Sequence, residues 1–294
     1  MEYKKYKISP NDLVTVTDMG HLKEVQYMQK MNREQHVQKI NADEYVVLET
    51  GEVKKFEKTD NRSESNNSLR KTFKKMRYLI NSNFKGSKNE LFLTLTYAEN
   101  MTDTKKLYQD LDKFIKRLRY RFKNKSTIDY MTIVEPQERG AWHTHTLLKF
   151  NDLNSVFIPS DDLSELWGHG YIKVKRINDV DNIGAYLSAY LTDLELTDEN
   201  LFDVLHKGLK VEEKEVKGVK KKFVKGGRMH LYPSGMNLYR KSKGIKFPER
   251  EVMTYKKFKE KAGSTEPHFS KTYEIDVDDF KNTIAFEQYN LKRN

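Results

Sequence analysis

Hydrophobic and polar positions along this chain repeat with two periods, and the switches between them mark out its elements. From Leu91 to Tyr97, "LFLTLTY" is a β-branched, aromatic and leucine-rich run, the pattern of a buried strand. Residues 104 to 124 place Leu107, Leu111, Phe114, Ile115, Leu118 and Phe122 on one stripe at helical spacing, which predicts an amphipathic helix. "YMTIVE", ending at Glu135, predicts a strand and "PQERGA" a turn; "WHTHTLLKF" predicts a strand close enough to the first to form a hairpin. A short helix over 159–167, a strand at "YIKVKRI" and a helix at "DVDNIGAYLSAYLTDLE" follow. Upstream, "NRSESNNS" (61–68) reads as a polar surface loop and Leu69 to about Phe84 as a basic helix. Residues 1 to 60 mix β-like pieces, "LVTVTD" and "EYVVLE", with a polar middle of helical character. The order β–α–β–turn–β–α–β–α predicts an α+β class: a central antiparallel sheet with helices packed on one face, plus N- and C-terminal additions. Three regions are expected: 1–68 as an extension or subdomain, 69–250 as the central domain, and 251–294 as a connector and docking segment. In the last, "YEIDVDDFKNTIAFEQYNLKRN" reads as a strand plus a terminal helix that docks on the core or on a second protomer, so a homo-oligomer is one expected assembly.

Charge changes the picture from fold to partner. The 294 residues are 37% hydrophobic and 33% charged, with a net charge of +11, which points to a polyanion: nucleic acid first, an anionic membrane second. The chain has no cysteine, which excludes disulfides and thiolate metal sites and suits a reducing cytosol. "MEYKKYKISPND" has no apolar secretion signal, and no segment approaches about 20 apolar residues, so no membrane partner is expected.

Two constellations carry candidate chemistry. On a strand, residues i and i+2 share a face, so His143 and His145 project together while Thr144 points the other way. They are either ordinary sheet residues or a shared metal site. Glu135, closing the other arm of the hairpin, or Glu138 in the turn would supply a carboxylate. Two imidazoles and one carboxylate with open positions suit a divalent ion such as Mg²⁺ or Mn²⁺. Tyr186 and Tyr190 stand four apart, on one face of a helix. Packing is the plain reading of such a pair in a chain with 17 tyrosines; the chemical one is a phenolate nucleophile toward phosphorus.

Taken in order, "LFLTLTY", "ERGAWHTHTLLKF" and "GAYLSAYLTD" resemble the three motifs of the HUH endonuclease superfamily, specifically the rolling-circle replication initiators of bacterial plasmids and phages. "WGHGYIKV" and "RMHLYPSGMNLYRKSKGIKFP" resemble Gram-positive members, so the resemblance spans roughly residues 88 to 250. It implies an antiparallel sheet with the histidine pair on a central strand, a divalent ion, and a helix-borne tyrosine that nicks one DNA strand. A 5′-phosphotyrosine and a free 3′-hydroxyl are the implied products. By position, His143 and His145 match the metal-binding histidines, and Glu135 the third ligand, with Glu138 as the alternative. Tyr190 matches the usual tyrosine and Tyr186 a second one found in some phage enzymes. The implied partners are origin DNA, single-stranded or a hairpin at the nick, and a host helicase and polymerase, since the chain has no P-loop. The implied compartment is the cytoplasm of a bacterial host cell.

The chain departs from the pattern at Thr144, where a bulky apolar residue is usual, and at Ala189 and Asp193, where many members carry lysines. Lys173, Lys175 and Arg176 are candidates to contact phosphate in their place. Nine basic residues over 105–125, among them Lys116, Arg117 and Arg119, and nine over 207–228, among them Lys220, Lys221 and Lys222, are further candidates for DNA contact. A conjugative relaxase or single-strand transposase of the same superfamily is the nearest alternative, with His169 in "WGHG" as a third histidine. A non-catalytic DNA-binding protein is the alternative from another class.

Overall fold

The computed structural model describes residues 6–31, 36–41, 43–56, 66–137, 140–178, 180–192, 194–195, 211–216, 219–224, 232–233, 236–277 and 280–292. Side chains at 66–70, 189–192, 194–195 and 277, and in 211–224 all but Glu213 and Lys222, lie outside that description. The chain forms two compact units, one from residues 1–60 and 249–294, the other from 61–248.

The first unit opens with the hairpin of β1 (Leu13–Met19) and β2 (Leu22–Met28), followed by a small antiparallel sheet of β3 (Val37–Lys39), β4 (Glu44–Val47) and β5 (Val53–Lys55). The polar middle that reads as helical contains β2 instead, because strands on both of its sides satisfy its backbone groups.

The second unit runs through α1 (Asn66–Asn83), β6 (Glu90–Leu95), α2 (Thr104–Arg121), β7 (Ile128–Pro136), β8 (Trp142–Phe150), α3 (Ser160–Trp167), β9 (Ile172–Lys175) and α4 (Ile183–Thr192). The short β10 (Leu194–Glu195), the hairpin β11 (Val211–Val216) and β12 (Val219–Val224), and β13 (Tyr239–Lys241) complete it. Its main sheet has the order β13-β7-β8-β6-β9, and every pair in it is antiparallel. The α+β class and the central antiparallel sheet are as the sequence predicts, and β8 is the middle strand.

The chain then returns to the first unit with β14 (Glu249–Thr254), α5 (Tyr255–Ala262), β15 (Phe269–Val277) and β16 (Phe280–Asn290), giving a five-stranded sheet of order β14-β1-β2-β16-β15. The terminal helix expected from the sequence is therefore a strand, β16. Its Phe280, Thr283, Ile284, Phe286 and Tyr289 favour an extended backbone, and β15 and β2 pair with it on either side.

Helices cover both faces of the main sheet rather than one. Leu91, Leu93 and Leu95 of β6 face α2 and α3, where Leu107, Leu111, Phe114, Ile115, Leu118, Leu163 and Trp167 are buried. Phe92, Met131, Ile133 and Leu147 point the opposite way, against Met76, Leu79 and Ile80 of α1 and Ile183 and Leu187 of α4. The predicted α2 stripe is the buried one, and Asp103 caps the helix by accepting from the Lys105 and Lys106 amides at 2.8 and 3.2 Å.

Candidate metal centre and nucleophile helix

Register decides which carboxylate meets the histidines. The β7–β8 hairpin pairs Glu135 with His143 and Ile133 with His145, so Glu135, His143 and His145 share the face that α1 and α4 cover. The turn that fixes this register ends at Gly140, whose φ of +80° is a conformation that side chains with a Cβ rarely adopt. Its amide bonds to the Gln137 carbonyl at 2.9 Å, and the Gln137 amide bonds to the Ala141 carbonyl at 2.7 Å. Glu138 lies outside the described residues.

The three side chains converge. Glu135 Oε2 stands 2.6 Å from His143 Nε2 and 2.5 Å from His145 Nε2, and the two nitrogens are 3.2 Å apart. Three lone pairs aimed at one point repel, so protons or a cation must occupy the space between them. A cation fits: two ligands at right angles on an ion with bonds of about 2.1 Å stand about 3 Å apart, close to the separation of the two nitrogens. Among the described residues this trio is the group whose ligand atoms gather closely enough to hold a metal ion. Burial pushes the Glu135 carboxyl up, but hydrogen bonds from His143 and His145 outweigh it and hold the carboxyl down at about 2.

A second layer orients one of the histidines. Thr94 Oγ1 is 3.2 Å from His145 Nδ1, and the His145 ring stacks on Phe92 with centroids 5.5 Å apart. With the hydroxyl accepting from Nδ1–H, His145 presents its Nε2 lone pair to the centre. His143 Nδ1 is buried without a hydrogen-bond partner. Sequence reading passed over Thr94; its signal was a polar residue on the inner face of a strand otherwise apolar on that side.

The tyrosine helix is fastened to the same face. Asn182 caps α4, its Oδ1 accepting from the Ala185 amide at 2.9 Å. Asn81 of α1 accepts from the Gly184 amide at 2.8 Å and donates to Asn182 Oδ1 at 2.9 Å. A Cβ on Gly184 would stand 2.8 Å from both Cγ and the carbonyl oxygen of Arg77 and 2.9 Å from Asn81 Oδ1, so glycine sets how closely α4 approaches α1. Tyr186 is half-buried against the core on the histidine side of the sheet. Tyr190 lies one turn further along α4, and its side chain is outside the described residues.

The remaining candidates fall in different places. Lys173 and Lys175 pair with Thr94 and Phe92, so the exposed side of β9 that carries them belongs to the histidine face. Arg176 is tied to the Lys88 and Val156 carbonyls at 3.0 and 2.9 Å, a scaffolding role. His169 sits 3.5 Å from the buried Asp110 of α2, on the other face of the sheet, away from the trio. Arg117 and Arg119 reach the Leu166 and Ile128 carbonyls, each at 3.0 Å, and Lys116 is exposed on the same helix. In the β11–β12 hairpin, register sets Lys220 opposite Glu215, Lys221 opposite Lys214 and the exposed Lys222 opposite Glu213. Side chains of Lys220 and Lys221 lie outside the described residues. Trp142 is buried against Tyr232, and Tyr97 packs edge-on to Trp167.

No helix among the described residues is long and apolar enough to cross a membrane. Residues 90–195 match a family model of replication-associated proteins, the one named for the ORF2 replication protein. That stretch begins at β6 and ends just beyond α4, so it contains the trio and both tyrosines. No curated protein and no solved structure matches the chain. The match supports a role in replication.

Proposed function

We propose that this chain is a rolling-circle replication initiator of the HUH type, which nicks and rejoins one DNA strand at an origin through a 5′-phosphotyrosine. The observation that carries the reading is the convergence of Glu135, His143 and His145 on the sheet face to which α4, with Tyr186 and Tyr190, is bound. The family match over residues 90–195 supports it independently.

Glu135, His143 and His145 would hold a divalent ion, Mg²⁺ or Mn²⁺. When bound, such an ion neutralises charge on the scissile phosphate and on the departing 3′-oxygen. Thr94 keeps His145 in the tautomer that ligates, and the Asn81–Asn182 pair fixes the start of the nucleophile helix. A phenol oxygen of Tyr190 or Tyr186 attacks phosphorus, the bond to the 3′-oxygen breaks, and that oxygen leaves as the hydroxyl that primes synthesis. Two tyrosines one turn apart allow a second transesterification, in which the other phenol opens the regenerated origin. Lys173 and Lys175, on the same face, are placed to steady the neighbouring phosphates.

The relaxase alternative draws on a third histidine, and His169 is bound to Asp110 on the opposite face instead. Nicking of supercoiled origin DNA tests the proposal. Tyr186→Phe with Tyr190→Phe should abolish nicking while DNA binding persists; a double variant that still nicks removes the tyrosine helix from the mechanism.

A further inference from the structure

A cavity of about 570 Å³ opens where the end of α2, the start of β7 and the loop after β13 meet. Its lining includes Arg119, Lys123, Lys241 and Lys243, with Asp129 and Tyr130 at its wall. The one acidic group among these is already engaged: Asp129 accepts from Ser242 Oγ at 2.7 Å and from Asn151 Nδ2 at 3.0 Å. Those bonds, with the Tyr130 amide donating to Ser242 Oγ at 3.0 Å and the Ser242 amide donating to the Tyr130 carbonyl at 2.9 Å, lock the loop against β7. The basic groups are similarly braced. Arg119 donates to the Ile128 carbonyl at 3.0 Å while its guanidinium lies over the Tyr130 ring, and Lys241 donates to the Ile245 carbonyl at 2.7 Å. The lysines at 123 and 243 are exposed at the rim.

The result is a concave, pre-formed site carrying four cations, against which one carboxylate is set. Its size suits a nucleotide-sized group, and its charge suits a phosphate. It lies far from the metal trio. Ile128 in its lining and Glu135 are seven residues apart on β7, roughly 23 Å at strand rise. We propose that this cavity is a second DNA-contact site, which takes a backbone phosphate of the strand at a distance from the nick. The assignment rests on reading the protein as a DNA-processing enzyme. A strand stacked at about 3.4 Å per nucleotide spans that distance in about seven nucleotides. The cavity therefore adds affinity and anchoring, and takes no part in the chemistry.

The test uses the full chain and a mixed-sequence single-stranded 30-mer, with binding read by fluorescence anisotropy over a salt series, without metal. Lys123→Glu with Lys243→Glu is compared with Lys55→Glu and Lys256→Glu, which make the same change in net charge outside the cavity. The cavity variant should bind roughly tenfold more weakly near 0.1 M salt, with a salt slope smaller by about 1.4, the value for two lost phosphate contacts on a single strand. The control variant should stay close to wild type. Equal losses in both variants would make net charge the cause and overturn the proposal. A second arm adds inorganic phosphate at matched ionic strength. Phosphate that lowers wild-type affinity to the level of the cavity variant supports a shared phosphate site. Phosphate binding that the cavity variant abolishes, with no difference in DNA affinity, assigns the cavity to a free phosphate and overturns the DNA role. Because binding is measured without nicking, a protein that shows the cavity effect yet never nicks refutes the enzymatic reading and leaves this one standing.

Discussion

Thr94→Val isolates the layer behind the metal centre. Valine keeps the shape of threonine and removes the hydroxyl that meets His145 Nδ1 at 3.2 Å. His145 is 6% exposed, so its Nδ1–H is left with little access to water, at a cost of about 1–3 kcal/mol to the metal-free protein. The second effect appears only with metal. Loss of an orienting partner of this kind weakens metal affinity by about 10–100-fold, and each factor of ten removes about 1.4 kcal/mol of metal-linked stabilisation. For a unit of this size, 1 kcal/mol corresponds to about 2–4 °C in Tm. Thermal unfolding with EDTA and with excess Mn²⁺ reads both effects, and calorimetric titration gives the affinity directly. Thr132→Val is the matched control: its hydroxyl bonds to Thr146 at 2.9 Å on the other face of the sheet, so it should destabilise without touching the metal response. If Thr94→Val keeps the full Mn²⁺-induced rise in Tm and the wild-type affinity, the hydroxyl does not orient His145, and the argument for its tautomer fails.

Three further outcomes follow from the same geometry. Gly184→Ala should destabilise by about 1–3 kcal/mol in urea unfolding, because the added methyl meets Arg77 and Asn81 at 2.8–2.9 Å; it should also slow nicking more than it weakens DNA binding, since it pushes the tyrosine helix off α1. The Glu135 carboxyl is held down at about 2, below its ordinary 4.5, so its contribution to stability is complete above about pH 4.5 and is lost as pH falls toward 2. Wild type should therefore lose stability over that window, on the order of 3 kcal/mol more than Glu135→Gln does, as followed by circular dichroism. EDTA should stop nicking with little effect on DNA binding, and Mn²⁺ should restore it; EDTA-resistant nicking would remove the ion from the mechanism.

What the sequence made legible is what depends on local period. The α2 stripe, the β7–β8 hairpin and the shared face of His143 and His145 are all set by spacings of two to four residues, and all are present as expected. The choice between Glu135 and Glu138 needed register, which the turn ending at Gly140 supplies. Thr94 reaches His145 across 51 residues of sequence, and Asn81 reaches Asn182 across 101, so no window along the chain contains either pair. The covering of both faces followed from topology: α1 and α4 meet on one side only once the strands are ordered. β16 was misjudged because its polar and apolar residues alternate imperfectly; pairing on both of its edges, which sequence does not display, makes it a strand. Likewise, residues 13–28 and 249–290 are remote in the chain yet share one sheet.

The most direct test joins ion, phenol and DNA in a single observation: incubate the protein with single-stranded origin DNA and Mn²⁺, digest it, and locate the nucleotide-bearing peptide by mass spectrometry. A 5′-linked nucleotide on Tyr190 or Tyr186, lost with EDTA and in the His143→Ala/His145→Ala variant, is the predicted result. An adduct on any other residue, or one that forms undiminished without the two imidazoles, would contradict it.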